Sequence, residues 1–225
     1  MKTLAEYYTN LGYPPELWHL GDEHPAIENY AIQLAHRLPL ARVLEIGVQS
    51  GGFAVPLILA MQDHPKFSYV GIDNGAYATA VDGSVISGYL AELNLNQGYE
   101  FLTVDSDTYL KTLPRQEFDL ILVDHFKPLY PRDFETIARR QILSADGYLL
   151  FHDVLNKAAG VWKDCQKICA AFGYSWQIVS EVPSGLAVVR LNPVREHLEF
   201  WRTAKARLRF EISRLAIRLL AIDAV

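Results

Sequence analysis

The sequence predicts an α/β fold: a mostly parallel seven-stranded sheet, an antiparallel hairpin at its end and a long helix beyond it. Three observations predict it. From Arg42 to Leu191, strand-like and helix-like patterns alternate with connections long enough for parallel crossovers. At the head of that run, Val43-Leu44-Glu45-Ile46-Gly47-Val48-Gln49-Ser50-Gly51-Gly52 reads as a buried strand entering a glycine turn, with a helix following from Phe53. Near its end, only Pro183-Ser184-Gly185 separates the strand-like stretches 175–182 and 186–191, too short a link for a parallel pair, so these two form a hairpin.

In chain order, residues 1–38 read as a cap of two helices split at Gly12-Tyr13-Pro14-Pro15. The second, 25–38, opens on proline and carries Ile27, Tyr30, Ala31, Leu34 and Leu38 as one apolar stripe. The core, 39–192, should hold strands at 42–47, 67–73, 99–105, 118–124 and 147–152, with helices at 52–62, 84–95, 130–143 and 158–172. In the tail, 193–225, Leu198, Trp201, Lys205, Leu208, Ile212, Leu215, Leu219 and Ile222 recur at spacings of three and four. That is an amphipathic helix with an a/d seam and a polar interruption at Lys205, and a homodimer through it is the expectation. Folding back onto the body is the plain alternative. A membrane surface is another, since Phe210, Ile217 and Leu220 widen the apolar face among arginines.

A chain of 225 residues, half of them hydrophobic, fits one large domain or a domain with an appendage. The absence of a secretory or spanning stretch points to a soluble, cytoplasmic protein. Cys165 and Cys169, four apart on one helix face with no third sulfur, are expected to be reduced core residues. The net charge of −5 is uneven: the tail is about +4 and the rest about −9. An acidic body argues against nucleic acid as a partner.

Ligands of open α/β sheets sit outside the carboxyl ends of the strands, so those ends carry the functional reading. Gly47 and Gly51 let the backbone approach a ligand, but Gly-x-x-x-Gly-Gly departs from the Gly-x-Gly-x-x-Gly of a pyrophosphate turn. Glu45, two residues ahead, suits a cationic ligand better than a phosphate. Asp73 ends the second strand about 25 positions after the turn, where a carboxylate can grip ribose hydroxyls; a helix cap is the plain alternative. Asp105 and Ser106 follow the third strand and equally read as a helix cap. The fourth strand ends in Asp124-His125-Phe126-Lys127-Pro128-Leu129-Tyr130 and the fifth in His152-Asp153. Asp124, His152 and Asp153 would meet in one crevice and could bind a divalent cation. Otherwise these polar residues only close turns, and Lys127 is a solvated loop lysine.

Glu45-x-Gly47-x-x-x-Gly51 resembles the first motif of the class I methyltransferases that use S-adenosylmethionine, and the strand order resembles their Rossmann-like fold. Asp124-His125-Phe126-Lys127-x-x-Tyr130 resembles the Asp-His-Trp-Lys-x-x-Tyr of catechol O-methyltransferase and its metal-dependent relatives, a likeness running over roughly residues 20–191. The resemblance implies that Glu45 and Gly47, with Gly51 in the same turn, meet the methionine moiety, and that Asp73 holds the ribose. It places Asp105 and Ser106 near the adenine, Asp124 on the metal, and Lys127 as general base. The chain departs from that family after the fifth strand, where His152-Asp153 replaces Asp-Asn, a pattern nearer to sugar and natural-product methyltransferases. A histidine ligand favours Mn²⁺, Fe²⁺ or Zn²⁺ over Mg²⁺; alternatively His152 is itself a base. The expected activity is O-methylation of a small-molecule hydroxyl, aromatic, sugar or natural product, with S-adenosylmethionine as cofactor and Mg²⁺ or Mn²⁺ assisting. Two rivals stand beside it: an NAD-dependent oxidoreductase, and a non-catalytic relative that keeps the fold as an interaction module.

Overall fold

In the computed structural model, which describes residues 3–13, 24–76, 82–95, 97–155, 159–179, 182 and 184–191, two helices come first, α1 (Leu4–Asn10) and α2 (His24–Arg37). Strands and helices then alternate: β1 (Ala41–Ile46), α3 (Ala54–Met61), β2 (Phe67–Asp73), α4 (Gly83–Glu92), β3 (Tyr99–Thr103), α5 (Ser106–Leu110) and β4 (Phe118–Val123). The remainder is α6 (Tyr130–Arg140), β5 (Leu143–Phe151), α7 (Ala159–Phe172), β6 (Tyr174–Val179) and β7 (Leu186–Leu191). The helix expected over 193–222, and with it the dimer seam, lies outside the described residues.

One seven-stranded sheet runs in the order β3-β2-β1-β4-β5-β7-β6. Strands β1 to β5 are parallel to one another, and β7 runs antiparallel between β5 and β6. This is the expected Rossmann-like architecture with its closing hairpin. Strand residues alternate between two apolar layers because side chains of a strand point to opposite faces. Val43, Leu120 and Leu122 pack with α2, α3 and α4 through Ile27, Leu57 and Ile86; Leu44, Ile121 and Val123 pack with α6 and α7 through Phe134, Ile137 and Cys165. Both cysteines are free and buried, as expected. At the amino end of the central strands, Arg42 clasps Asp119 with two hydrogen bonds of 2.8 and 3.0 Å, tying β1 to β4 at the edge away from the turn.

Three departures from expectation have a local cause. The fifth strand starts at Leu143 and not at 147, since Gly147 tolerates the close approach of Asp119 where the β4–β5 register shifts. Helix α6 stops at Arg140, because Gln141 turns left-handed at φ 55° and closes the helix with its N–H. The cap signal at Asp105 opens a real helix, α5, with the Asp105 side chain accepting from the Thr108 N–H at 3.2 Å. No helix among the described residues is long and apolar enough to cross a membrane.

After β1 the chain winds outward through β2 to β3, then returns to place β4 on the other side of β1. That reversal opens a crevice at the carboxyl ends of β1 and β4, the position where open α/β sheets bind ligands.

Candidate active site

The crevice begins at the glycine turn. Gly47 has φ 99°, and a Cβ built there would lie 2.4 Å from the carbonyl oxygen of Asp124 and 2.8 Å from Cβ of His125, so β1 and β4 approach this closely only because residue 47 is glycine. The main-chain N–H groups of Gly47 and Asp124 donate to Ile72 and Ile46 at 2.8 and 2.9 Å, which knits β2, β1 and β4 together at their tips. Gly51, at φ 76°, is less confined: its Cβ would meet only the Ile86 side chain, at 3.1 Å.

Around the turn, side chains hold the backbone. Asp73 is half-buried; its two carboxylate oxygens accept the N–H groups of Gln49 at 3.0 Å and Gly75 at 2.8 Å. Each oxygen keeps a second lone pair for another donor. Glu45 is 2% exposed and accepts the phenol O–H of Tyr69, itself fully buried. Burial pushes the Glu45 carboxyl up to about 8, against the opposing pull of the Tyr69 hydrogen bond. The N-terminal helix also reaches the turn, where buried Tyr8 donates its hydroxyl to the Ser50 carbonyl at 2.6 Å. Tyr69 and Tyr8 carry no motif, and only the fold brings them to this site.

The other half of the crevice lies beyond β4 and β5. Asp124, Lys127, His152 and Asp153 form one cluster there. Lys127 Nζ is 2.5 Å from Asp124 Oδ1 and 3.2 Å from Asp153 Oδ2. His152 Nδ1 meets Asp124 Oδ2 at 2.8 Å, and its Nε2 meets the buried Ser184 hydroxyl at 3.0 Å. Burial works against the Asp124 carboxylate, yet the His152 hydrogen bond and the Lys127 charge outweigh it and hold its pKa well below the ordinary carboxylate range. For His152, burial disfavours the charged form, but Asp124 and Asp153 reverse this and raise its pKa. Asp153 sits left-handed at φ 61°, a conformation aspartate tolerates better than most residues. Asp124, His152 and Asp153 each offer one donor atom, all within 4.8 Å of one another.

The Asp-x-x-Lys-x-x-Tyr spacing now has a physical reason. A 3-10 turn (Lys127–Leu129) carries Lys127 back over Asp124, and α6 begins at Tyr130. The fully buried Tyr130 ring lies under Lys127 Nζ at 5.3 Å, and its hydroxyl donates to the His152 carbonyl at 3.2 Å, fastening the β4 loop to the β5 loop. His125 points away from the cluster, its Nε2 2.9 Å from Oδ2 of the fully buried Asp133 but off the hydrogen-bonding line. Asp105 and Ser106 follow β3 and meet α6: Asp105 caps α5, and the Ser106 hydroxyl accepts from Arg132 at 2.7 Å. The fold therefore joins Glu45, Gly47, Gly51 and Asp73 in one half of the crevice and Asp124, Lys127, His152 and Asp153 in the other, with Asp105 and Ser106 on the next loop. Ser184 was legible only as a turn residue between strands.

Residues 44–154 match the family model of a methyltransferase domain. That stretch, just under half of the chain, is similar to a methyltransferase domain. The match spans both halves of the crevice, from β1 to the loop after β5. Among solved structures, the domain is similar to an O-methyltransferase from Bacillus cereus in complex with SAH (TM-score 0.66, 16% identity, 85% of this chain and 92% of that one). It is also similar to the SAH-bound methyltransferase PaMTH1 of Podospora anserina (TM-score 0.64, 20% identity, covering 84% and 87%). A third is the O-methyltransferase TomG from Streptomyces achromogenes, involved in tomaymycin synthesis and in complex with SAM (TM-score 0.62, 17% identity, covering 84% and 87%). At these identities the likeness speaks for the fold of the methyltransferase domain. No curated protein sequence matches the chain.

Proposed function

We propose that this methyltransferase domain transfers a methyl group from S-adenosylmethionine to the hydroxyl of a small molecule. The observation that carries the reading is the contact between Gly47 and Asp124: a backbone cradle and a carboxylate–imidazole–ammonium cluster abut at the switch point of one sheet.

The residues fit the cofactor. The left-handed Gly47 and Gly51 keep the turn bare of side chains, and Asp73 has lone pairs open for ribose hydroxyls. Glu45 stands behind the turn as a buried carboxyl that holds its proton up to about pH 8, and a cationic methionine moiety beside it would favour the ionised form. Asp105 and Ser106 border the adenine side. When bound, S-adenosylmethionine supplies a methyl on a sulfonium, already activated for displacement by an oxygen nucleophile. What remains for the protein is to align the acceptor and take its proton.

His152 is arranged for that. The Asp124 carboxylate accepts the Nδ1 proton, which fixes the tautomer and leaves Nε2, facing Ser184, as the nitrogen that can take a proton. Lys127, with Nζ placed on two carboxylates, serves better as a positive charge beside the developing oxyanion than as a base. A second reading follows from the three donors gathered within 4.8 Å: Asp124, His152 and Asp153 would hold a divalent cation that accepts nitrogen as well as oxygen. Bound there, it would supply a Lewis acid that lowers the acceptor hydroxyl's pKa. The test is release of S-adenosylhomocysteine with phenol, catechol and sugar acceptors, run in chelator and in Mn²⁺. Turnover in chelator supports the His152 base, and turnover restored only by Mn²⁺ supports the metal. An absence of turnover with every acceptor, despite cofactor binding, favours a non-catalytic module.

A further inference from the structure

We infer that Lys127 is the resident cation of the site and competes with any divalent metal for Asp124 and Asp153. The inference rests on the second reading above, in which these carboxylates and His152 are metal donors. An ammonium has three donors and no fixed coordination geometry; here two are spent, on Asp124 Oδ1 at 2.5 Å and Asp153 Oδ2 at 3.2 Å. These carboxylates would be ligands of a metal. The other Asp124 oxygen, Oδ2, meets His152 Nδ1 at 2.8 Å, so both oxygens already carry a partner.

Lys127 is not a loop lysine that swings through by chance. Its side chain is only 16% exposed, its Nζ lies 5.3 Å from the centre of the Tyr130 ring, and the hydroxyl of that ring is hydrogen-bonded to the His152 carbonyl. The backbone beneath it is fixed by the 3-10 turn with Pro128 inside. A metal held by both carboxylates would stand beside this ammonium, and two like charges at that range repel strongly in a half-buried site. Metal entry and Lys127 docking therefore exclude each other: a loaded site must push Lys127 out, and a docked Lys127 leaves the carboxylates neutralised without metal.

The test is a Mn²⁺ titration followed by the electron paramagnetic resonance of the free ion, with no cofactor or acceptor present. Lys127→Met, which keeps the stem and removes the charge, should bind Mn²⁺ at least tenfold more tightly than the parent, and Asp124→Asn placed on top should abolish the gain. Lys127→Arg should stay at the parent's affinity. If Lys127→Met does not fold by circular dichroism, Lys127→Gln carries the same expectation. Equal affinities, tighter binding by the parent, or no binding by any variant overturns the inference. Because cofactor plays no part in the titration, failure here is distinct from failure to bind S-adenosylmethionine.

Discussion

At the ends of β1 and β2 the crevice is lined by main chain: Gly47, Gly51 and the N–H groups that Asp73 gathers from Gln49 and Gly75. At the ends of β4 and β5 it is lined by charged side chains, and the main chain only carries them. The difference teaches where each half is vulnerable. A backbone cradle fails when an atom is added, because nothing can move aside; a side-chain cluster fails when a charge is removed, because its partners are left facing one another.

The largest effect should come from adding one methyl to the cradle. In Gly47→Ala the new Cβ meets the Asp124 carbonyl, a backbone atom fixed in the sheet, at a φ that L-residues rarely adopt. A loss of about 2 to 4 kcal/mol in urea unfolding is expected, with both halves of the crevice disturbed. Gly51→Ala is the contrast within the same turn: it meets the buried Ile86 side chain at 3.1 Å and not main chain, and should cost about 1 to 2 kcal/mol. Equal losses at the two positions would break the view that backbone contact, and not turn conformation alone, sets the cost.

Removing a group from the other half should spare the fold relative to Gly47→Ala and strike turnover. His152→Ala should lower kcat by roughly 100-fold with little change in the cofactor's Kd, the size expected for a lost general base. A mutant that instead loses cofactor affinity would show that the two halves are not separable.

A third contrast is in pH. Glu45 is raised from 4.5 to about 8 in the folded protein, so between those values the folded state holds a proton that the unfolded chain has released. Its contribution to stability is complete below 4.5 and declines as pH rises toward 8. His152, also raised, loses its contribution as pH rises through its folded pKa; Asp124, depressed, loses its own only in acid. Comparing parent with Glu45→Gln isolates the first: the parent should lose on the order of 3 kcal/mol more between pH 5 and 8 than the mutant. Parallel pH profiles would mean that Glu45 stays ionised behind the turn.

The two halves were also unequally legible in the sequence. The parallel run and its closing hairpin could be anticipated because crossover lengths and a three-residue hairpin link leave few topologies open. The glycine turn and Asp73 were legible from spacing, since backbone demands are written in residue type. On the β4–β5 side the residue types were visible but their pairings were not: that Lys127 bridges two aspartates, or that His152 turns Nε2 to Ser184, depends on rotamers no linear pattern encodes. Tyr8 and Tyr69 were invisible for another reason. They reach the turn across 42 and 24 residues, and in the linear sequence they look like any core aromatic.

The central claim is tested most directly by isothermal titration of the full chain with S-adenosylmethionine and, separately, with NAD. Saturable binding of S-adenosylmethionine at one site is expected, with no heat from NAD, and Asp73→Ala should weaken it by about 1 to 3 kcal/mol through lost charge-assisted hydrogen bonds to the ribose. Binding of NAD in its place, or an S-adenosylmethionine affinity unmoved by Asp73→Ala, would contradict the assignment of this crevice to S-adenosylmethionine.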